Sequence, residues 1–137
     1  MKPMSDKAFF DTNVLLYLVS QDVDKYRRST ELLDAGGVIS VQVLNEMIHV
    51  NRRKLAATWS QVDQLLASVR RSCQVVSLDE ATYDQGRLLA ERYQLSIYDA
   101  MIVAAARRAS VKVLYSEDMQ DGLVIDKTLT VRNPFAK

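Results

Sequence analysis

Short apolar runs alternate with amphipathic stretches of helical spacing along the whole chain, and that alternation limits the fold more than any single motif. Lys7 to Phe10 is a short apolar run ended abruptly by Asp11. Asn13–Val19 predicts a short helix and Asp24–Ala35 another, stopped by Gly36-Gly37. Val38-Ile39 predicts a brief strand, with Ser40 placed to cap a helix over Val41–Lys54. Thr58–Ser72 carries Trp59, Val62, Leu65, Leu66 and Val69 at helical spacing, and Gln74–Ser77 predicts a strand. Ser77-Leu78-Asp79-Glu80 has capping-box spacing ahead of a helix running to Tyr93. Ser96 opens a helix over Ile97–Arg108, and further strands are expected at Val111–Tyr115 and Leu129–Val131. Such alternation predicts an α/β fold, a three-layer α/β/α sandwich with a mainly parallel central sheet. Ligands of these folds bind beyond the carboxyl ends of the strands.

With 4 glycines and 2 prolines, the latter near the ends, the chain has few places for a linker, so residues 1–137 are expected to form one domain. No apolar run approaches the roughly 20 residues of a membrane span. Charges precede any apolar stretch at the N-terminus, so no signal peptide is expected. A lone cysteine, Cys73, and a lone histidine, His49, exclude an internal disulfide and Cys/His zinc chemistry, and a cytoplasmic setting is expected. A net charge of +1 argues against binding nucleic acid through bulk positive charge.

The acids are placed less evenly than the charge total suggests. Asp11 directly follows Ala8-Phe9-Phe10, and Asp118 comes three residues after Val113-Leu114-Tyr115, so both are expected beyond strand ends. Each could equally cap the helix that follows. Asp99 is the only charge in Ile97–Ala106, and its neighbours at i+3, i+4 and i+7 are Ile102, Val103 and Ala106, which puts it on the core-facing stripe. A capping box with Ser96 is the plainer use, and both can hold. Burying a carboxylate costs several kcal/mol unless it is paired or metal-bound, and no Lys or Arg lies within a turn of Asp99. Glu46 borders the apolar face of its helix, while Gln42, Asn45, His49 and Arg52 run down the polar side. Hard oxygen donors select Mg²⁺ or Mn²⁺, and three or four carboxylates suit one or two ions holding a phosphate-bearing substrate.

These residues carry a resemblance. Phe-Phe-Asp-Thr-Asn-Val-Leu-Leu-Tyr at 9–17 resembles the opening motif of the PIN domain family. Glu46 in Asn-Glu-Met, Asp99 in Tyr-Asp-Ala-Met-Ile and Ser-Glu-Asp at 116–118 follow in the order the family shows. The resemblance covers essentially the whole chain, and chains of this length resemble the toxin component of VapBC-type toxin–antitoxin pairs. It implies a metal-dependent endoribonuclease in which Asp11, Glu46, Asp99 and Asp118 bind Mg²⁺ or Mn²⁺ and act in catalysis. Metal-activated water would attack the phosphate in line, leaving a 5′-phosphate and a 3′-hydroxyl. Asn13 and Ser116 would be polar supports, Ser116 standing where many members carry threonine. Glu117 and Asp121 crowd the fourth landmark and are further supporting candidates.

Basic groups must hold an RNA backbone around such a centre. Arg52, Arg53 and Lys54 are the preferred contacts because they lie one to two turns beyond Glu46; Arg27-Arg28, Arg70-Arg71 and Arg107-Arg108 are the other basic pairs. Tyr17, Tyr98 and Tyr115 flank the acidic motifs, and Trp59 could stack a base. The resemblance also implies an antitoxin partner and a homodimer. A housekeeping RNA-processing nuclease and a non-catalytic scaffold binding RNA or protein are the competing functions.

Overall fold

The strand Ala8–Phe10 (β1) is followed by five more, Gly37–Ser40 (β2), Cys73–Val76 (β3), Val113–Tyr115 (β4), Val124–Ile125 (β5) and Leu129–Arg132 (β6). The protein is described here by a computed structural model over residues 6–136. The expectation about the N-terminal leader falls largely on residues 1–5, outside the described residues. The strands form one sheet in the order β3-β2-β1-β4-β6-β5. Every pairing is parallel except the last, β5 against β6. Between the strands run Thr12–Leu16 (α1), Val23–Asp34 (α2), Val41–Arg53 (α3), Trp59–Ser72 (α4), Glu80–Tyr93 (α5) and Ile97–Arg108 (α6). A short 3-10 turn, Tyr17–Val19, continues α1.

Parallel strands need crossovers, and parallel sheets are stable only when both faces are covered. All residues of β2 are buried, although successive side chains point to opposite faces, so helices cover both. α3 and α6 both pack on β2, α5 packs along α6, and α1 to α4 pack among themselves. The expected mainly parallel α/β architecture is therefore observed. Phe9, Phe10, Val14, Ile39, Met47, Ile102 and Leu114 are fully buried between the layers. Among the described residues no helix is long and apolar enough to cross a membrane.

Local signals held with three exceptions. Ser96 caps α6, its Oγ accepting from the Asp99 N–H at 3.1 Å, and Thr58 with Gln61 forms a full capping box on α4. The cap of α5 is Asp79 and not Ser77: Asp79 Oδ1 accepts from both the N–H and the hydroxyl of Thr82. The acid stands three residues before that amide, where a cap reaches it. Ser40 occupies the cap position of α3, but its side chain makes no capping bond and its buried Oγ has no partner. Strand β5 carries no sequence signal. It is made by a three-residue turn, Asp126 to Thr128, in which Asp126 (φ 48°) and Lys127 (φ 64°) take the left-handed region, a geometry for which glycine or asparagine is the usual cue.

Strand order reverses at the centre: from β1 the chain winds outward to β2 and β3, then returns to the other side of β1 as β4. Between the carboxyl ends of β1 and β4 the connecting loops diverge and leave a crevice.

Candidate functional site

Asp11 follows β1 and the segment Ser116–Asp118 follows β4, so both stand over that crevice. The backbone joins them, the Asp11 N–H donating to the Tyr115 carbonyl at 2.9 Å. A cavity of about 770 Å³ opens there, and Asp11, Glu46, Asp99 and Asp118 all line it, with Thr12, Asn13, Gln42, Asn45, His49 and Tyr98. Acids from the β1–α1 junction, α3, α6 and the loop after β4 thus meet in one cleft.

Each acid is held by its own set of neighbours. Asp11 is buried and caps α1, its Oδ1 accepting from the Thr12 N–H at 2.7 Å while Oδ2 accepts from the Ser116 hydroxyl at 2.8 Å. Glu46 is half-buried; its Oε2 accepts from the Thr12 hydroxyl at 2.6 Å and its Oε1 from Gln42 Nε2 at 3.0 Å. Asn13 Nδ2 donates to Asp118 Oδ2 at 3.0 Å and reaches Asp11 Oδ2 at 3.5 Å, bridging the acids after the two central strands. Asp99 is half-buried, not sunk into the core as its helical position suggests. It sits in the first turn of α6, where the helix end opens onto the cleft, and Ser96 rather than Asp99 makes the capping bond.

The electrostatics are those of negative charge without a counter-charge. Among the described residues no Lys, Arg or His side chain is ion-paired to any of these acids. Burial raises the Asp11 carboxyl to about 6, against the lowering effect of its bonds from Ser116 and Thr12, and the charges of Asp99 and Glu46 add to the rise. Asp99 is raised too, first by burial, with Asp118 and Glu46 contributing. An all-oxygen, anionic donor set of this kind suits a hard divalent cation. Among the described residues no group of three or more acids, His or Cys is closed around a single point.

Other expected residues lie elsewhere. Glu117 points away from the cleft to Tyr17 and Lys25, and Asp121 Oδ1 accepts from the Asn133 N–H at 2.9 Å, tying a turn to the end of β6. Neither lines the cavity. The loop bends back on itself here, the Met119 N–H donating to Ser116 Oγ at 3.3 Å, and this leaves Asp118 on the cleft side with Glu117 held outside by Tyr17 and Lys25. Tyr98 lines the cleft, whereas Tyr115 stacks on Phe10 at 6.2 Å between ring centroids. Arg52 is committed to the α3–α4 loop, donating to the Ala57 carbonyl at 2.9 Å and lying 4.5 Å over the Trp59 ring. Arg53 and Lys54 are exposed, and among the described residues neither is ion-paired. Arg28, Arg107 and Arg108 are taken up in contacts with Glu31, Asp126 and Asp79. Burial pushes the Cys73 thiol up to about 12, which leaves it inert.

Thr12 and Gln42 were not singled out by sequence reasoning. Gln42 had a readable signal, standing one helical turn before Glu46. Thr12 had none, because its partner lies 34 residues away.

A model of the PIN domain family matches residues 8–120. No curated protein sequence matches the chain significantly. Among solved structures, the chain is similar to one from a toxin–antitoxin complex of Klebsiella pneumoniae, with TM-score 0.71, 22% identity, and 93% of this chain and 98% of that one covered. It is similar to Mycobacterium tuberculosis VapC20, described as a Sarcin-Ricin loop cleaving toxin, with TM-score 0.60, 18% identity and coverage of 81% and 89%. The DNA-bound VapBC of Salmonella typhimurium gives TM-score 0.66, 20% identity and coverage of 94% and 98%. Likeness at these identities establishes a common fold.

Proposed function

Because this chain belongs to the PIN domain family, we propose that it is a metal-dependent endoribonuclease and the toxin of a type II toxin–antitoxin pair. The observation that carries this reading is the meeting of Asp11, Glu46, Asp99 and Asp118, from separate elements, around one cavity at the switch point of the sheet. Similarity to VapC20, described as a cleaving toxin, and to chains of toxin–antitoxin complexes supports the substrate class and the partner.

Asp11, Asp99 and Asp118, with Glu46, would hold one or two Mg²⁺ or Mn²⁺ ions. Bound there, the metal supplies water activation and neutralises charge on the scissile phosphate. The chain's own residues do the rest. Ser116 and the Thr12 N–H fix the Asp11 carboxylate, and Asn13 holds Asp118 in step with it. Thr12 and Gln42 each occupy one oxygen of Glu46, and its remaining lone pairs can accept a proton from the attacking water. Arg53 and Lys54, one to two turns beyond Glu46, would hold the RNA backbone, and the product would carry a 5′-phosphate and a 3′-hydroxyl.

The antitoxin would be a small protein that brings a basic side chain to the uncompensated acids. Exposed Leu78, Tyr83, Ile97 and Tyr98 line an apolar groove next to the cleft, the surface we assign to a second copy in a homodimer. The cytoplasm would be its working compartment.

Purified protein incubated with RNA and Mn²⁺ is expected to cleave the RNA, and Asp99→Asn to lose at least about 100-fold of the rate, since even residues that only support metal ligands are worth roughly 10–100-fold. Equal cleavage by the variant would refute the assigned site.

A further inference from the structure

The acid beside Asp118 is removed from the cleft by a specific device. Glu117 Oε2 accepts from Lys25 Nζ at 2.6 Å, and Oε1 accepts from the Tyr17 hydroxyl at 2.5 Å. Lys25 Nζ also donates to the Tyr17 hydroxyl at 3.1 Å, so the three side chains close a triangle. The ammonium lies 4.8 Å over the Tyr17 ring and 5.5 Å over the Phe135 ring, and those rings meet edge to face at 4.9 Å. Lys25 and Glu117 are both partly buried, with 33% and 22% of their side chains exposed, so the pair is better shielded from solvent than a loose surface contact. The Glu117 N–H donates to Asn13 Oδ1 at 3.2 Å, and the other end of the same amide holds Asp118 and reaches Asp11.

We propose that Lys25 and Tyr17 form a lock on Glu117 that positions the loop carrying Asp118, making Lys25 a positioning residue for the acidic cleft. The geometry acts through the backbone: it fixes the Glu117 N–H that orients Asn13, and hence the spacing of Asp11 and Asp118. A contact between α2 and the loop after β4 thereby sets how readily the acids draw together on a cation. Partners that orient ligands typically contribute about 10–100-fold to metal affinity or activity.

The inference rests on the functional reading above only for its catalytic consequence, so the primary readout is Mn²⁺ binding measured by titration calorimetry. Lys25→Met, which keeps the apolar stem over the rings, is expected to weaken Mn²⁺ binding about 10-fold, as is Glu117→Gln. The double variant is expected to be no weaker than either alone, because both break one contact. Arg27→Ala, which breaks the exposed Arg27–Asp24 pair on the same helix, is expected to bind Mn²⁺ like the wild type. In cleavage assays Lys25→Met should raise the Mn²⁺ concentration needed for half-maximal rate and leave KM for RNA unchanged. Should Lys25→Met fail to fold, Tyr17→Phe removes one hydroxyl and is expected to weaken Mn²⁺ binding several-fold. Wild-type Mn²⁺ affinity in a folded Lys25→Met or Tyr17→Phe variant overturns the proposal, and so does a raised KM for RNA with Mn²⁺ affinity intact. If the wild type binds Mn²⁺ but cleaves no RNA, the nuclease reading fails while the lock is still decided by the binding data.

Discussion

Asp11→Asn is expected to abolish RNA cleavage and yet to stabilise the metal-free protein near pH 7.5, by about 1–3 kcal/mol. The reason is the cost of keeping this carboxylate ionised. Burial holds its folded-state value at about 6, against roughly 3.9 in an unfolded chain. The folded protein therefore binds the proton more tightly than the unfolded one. Ionisation penalises the native state in full above the folded value, and the penalty fades as pH falls from about 6 towards 4. At roughly 1.4 kcal/mol per unit this is at most about 3 kcal/mol, reduced by whatever the amide loses in its bonds to Thr12 and Ser116. Asparagine caps helices as well as aspartate does, so α1 is not compromised. Urea unfolding of both proteins should show the variant ahead at about pH 7.5 and the two converging near pH 4.5. Added Mn²⁺ should stabilise the wild type and not the variant, as binding to the native state alone requires. A less stable variant at about pH 7.5 would mean that Asp11 is not under electrostatic stress.

Gly37→Ala carries the largest structural cost expected of a single methyl group here. A Cβ at Gly37 would lie 2.4 Å from Phe10 Cε2, 2.7 Å from its Cζ and 2.8 Å from the Ala8 carbonyl oxygen. Phe10 is buried between sheet and helices, and the Ala8 carbonyl belongs to the paired strand, so neither can yield cheaply. Overpacking a core costs typically 1–3 kcal/mol, and the expected loss is at the top of that range, about 3 kcal/mol. β1 would be displaced, and Asp11 with it, so cleavage should fall along with the denaturation midpoint. Gly86 makes the contrast: a Cβ there meets mainly the flexible end of Met101, which can move aside. A Gly37→Ala midpoint equal to the wild type would show that β1 and β2 are less tightly registered than Ala8 against Gly37 implies.

The legible parts of this protein were those encoded by neighbours in sequence. The helices announced themselves by periodicity and by a cap such as Ser96, and the strands by apolar runs cut off at Asp11 or before Ser116, whereas the Thr58–Gln61 capping box emerged only in the structure. Asp11 was readable as the residue that ends a strand, and the structure gives it both expected uses, capping α1 and lining the crevice. Glu117 and Asp118 could not be told apart by spacing, since the partner that claims Glu117 is Lys25, 92 residues away. Arg52 looked available to RNA because the loop that brings Trp59 and the Ala57 carbonyl under it turns through Ala56 at φ 51°, with no glycine to mark the reversal. Asp99 was placed on the right face of α6, but periodicity alone cannot say that a first-turn residue overlooks a cleft. The +1 total likewise concealed an uncompensated acidic cleft.

The claim that these four acids form one metal-binding centre is tested most directly by a crystal grown with Mn²⁺ and measured at a wavelength where manganese scatters anomalously. The expected result is anomalous density in the cleft, coordinated by Asp11 and at least one of Asp99 and Asp118, with the Lys25–Glu117 pair intact. An empty cleft with manganese bound only at other surface acids, under conditions in which the protein cleaves RNA, would contradict it.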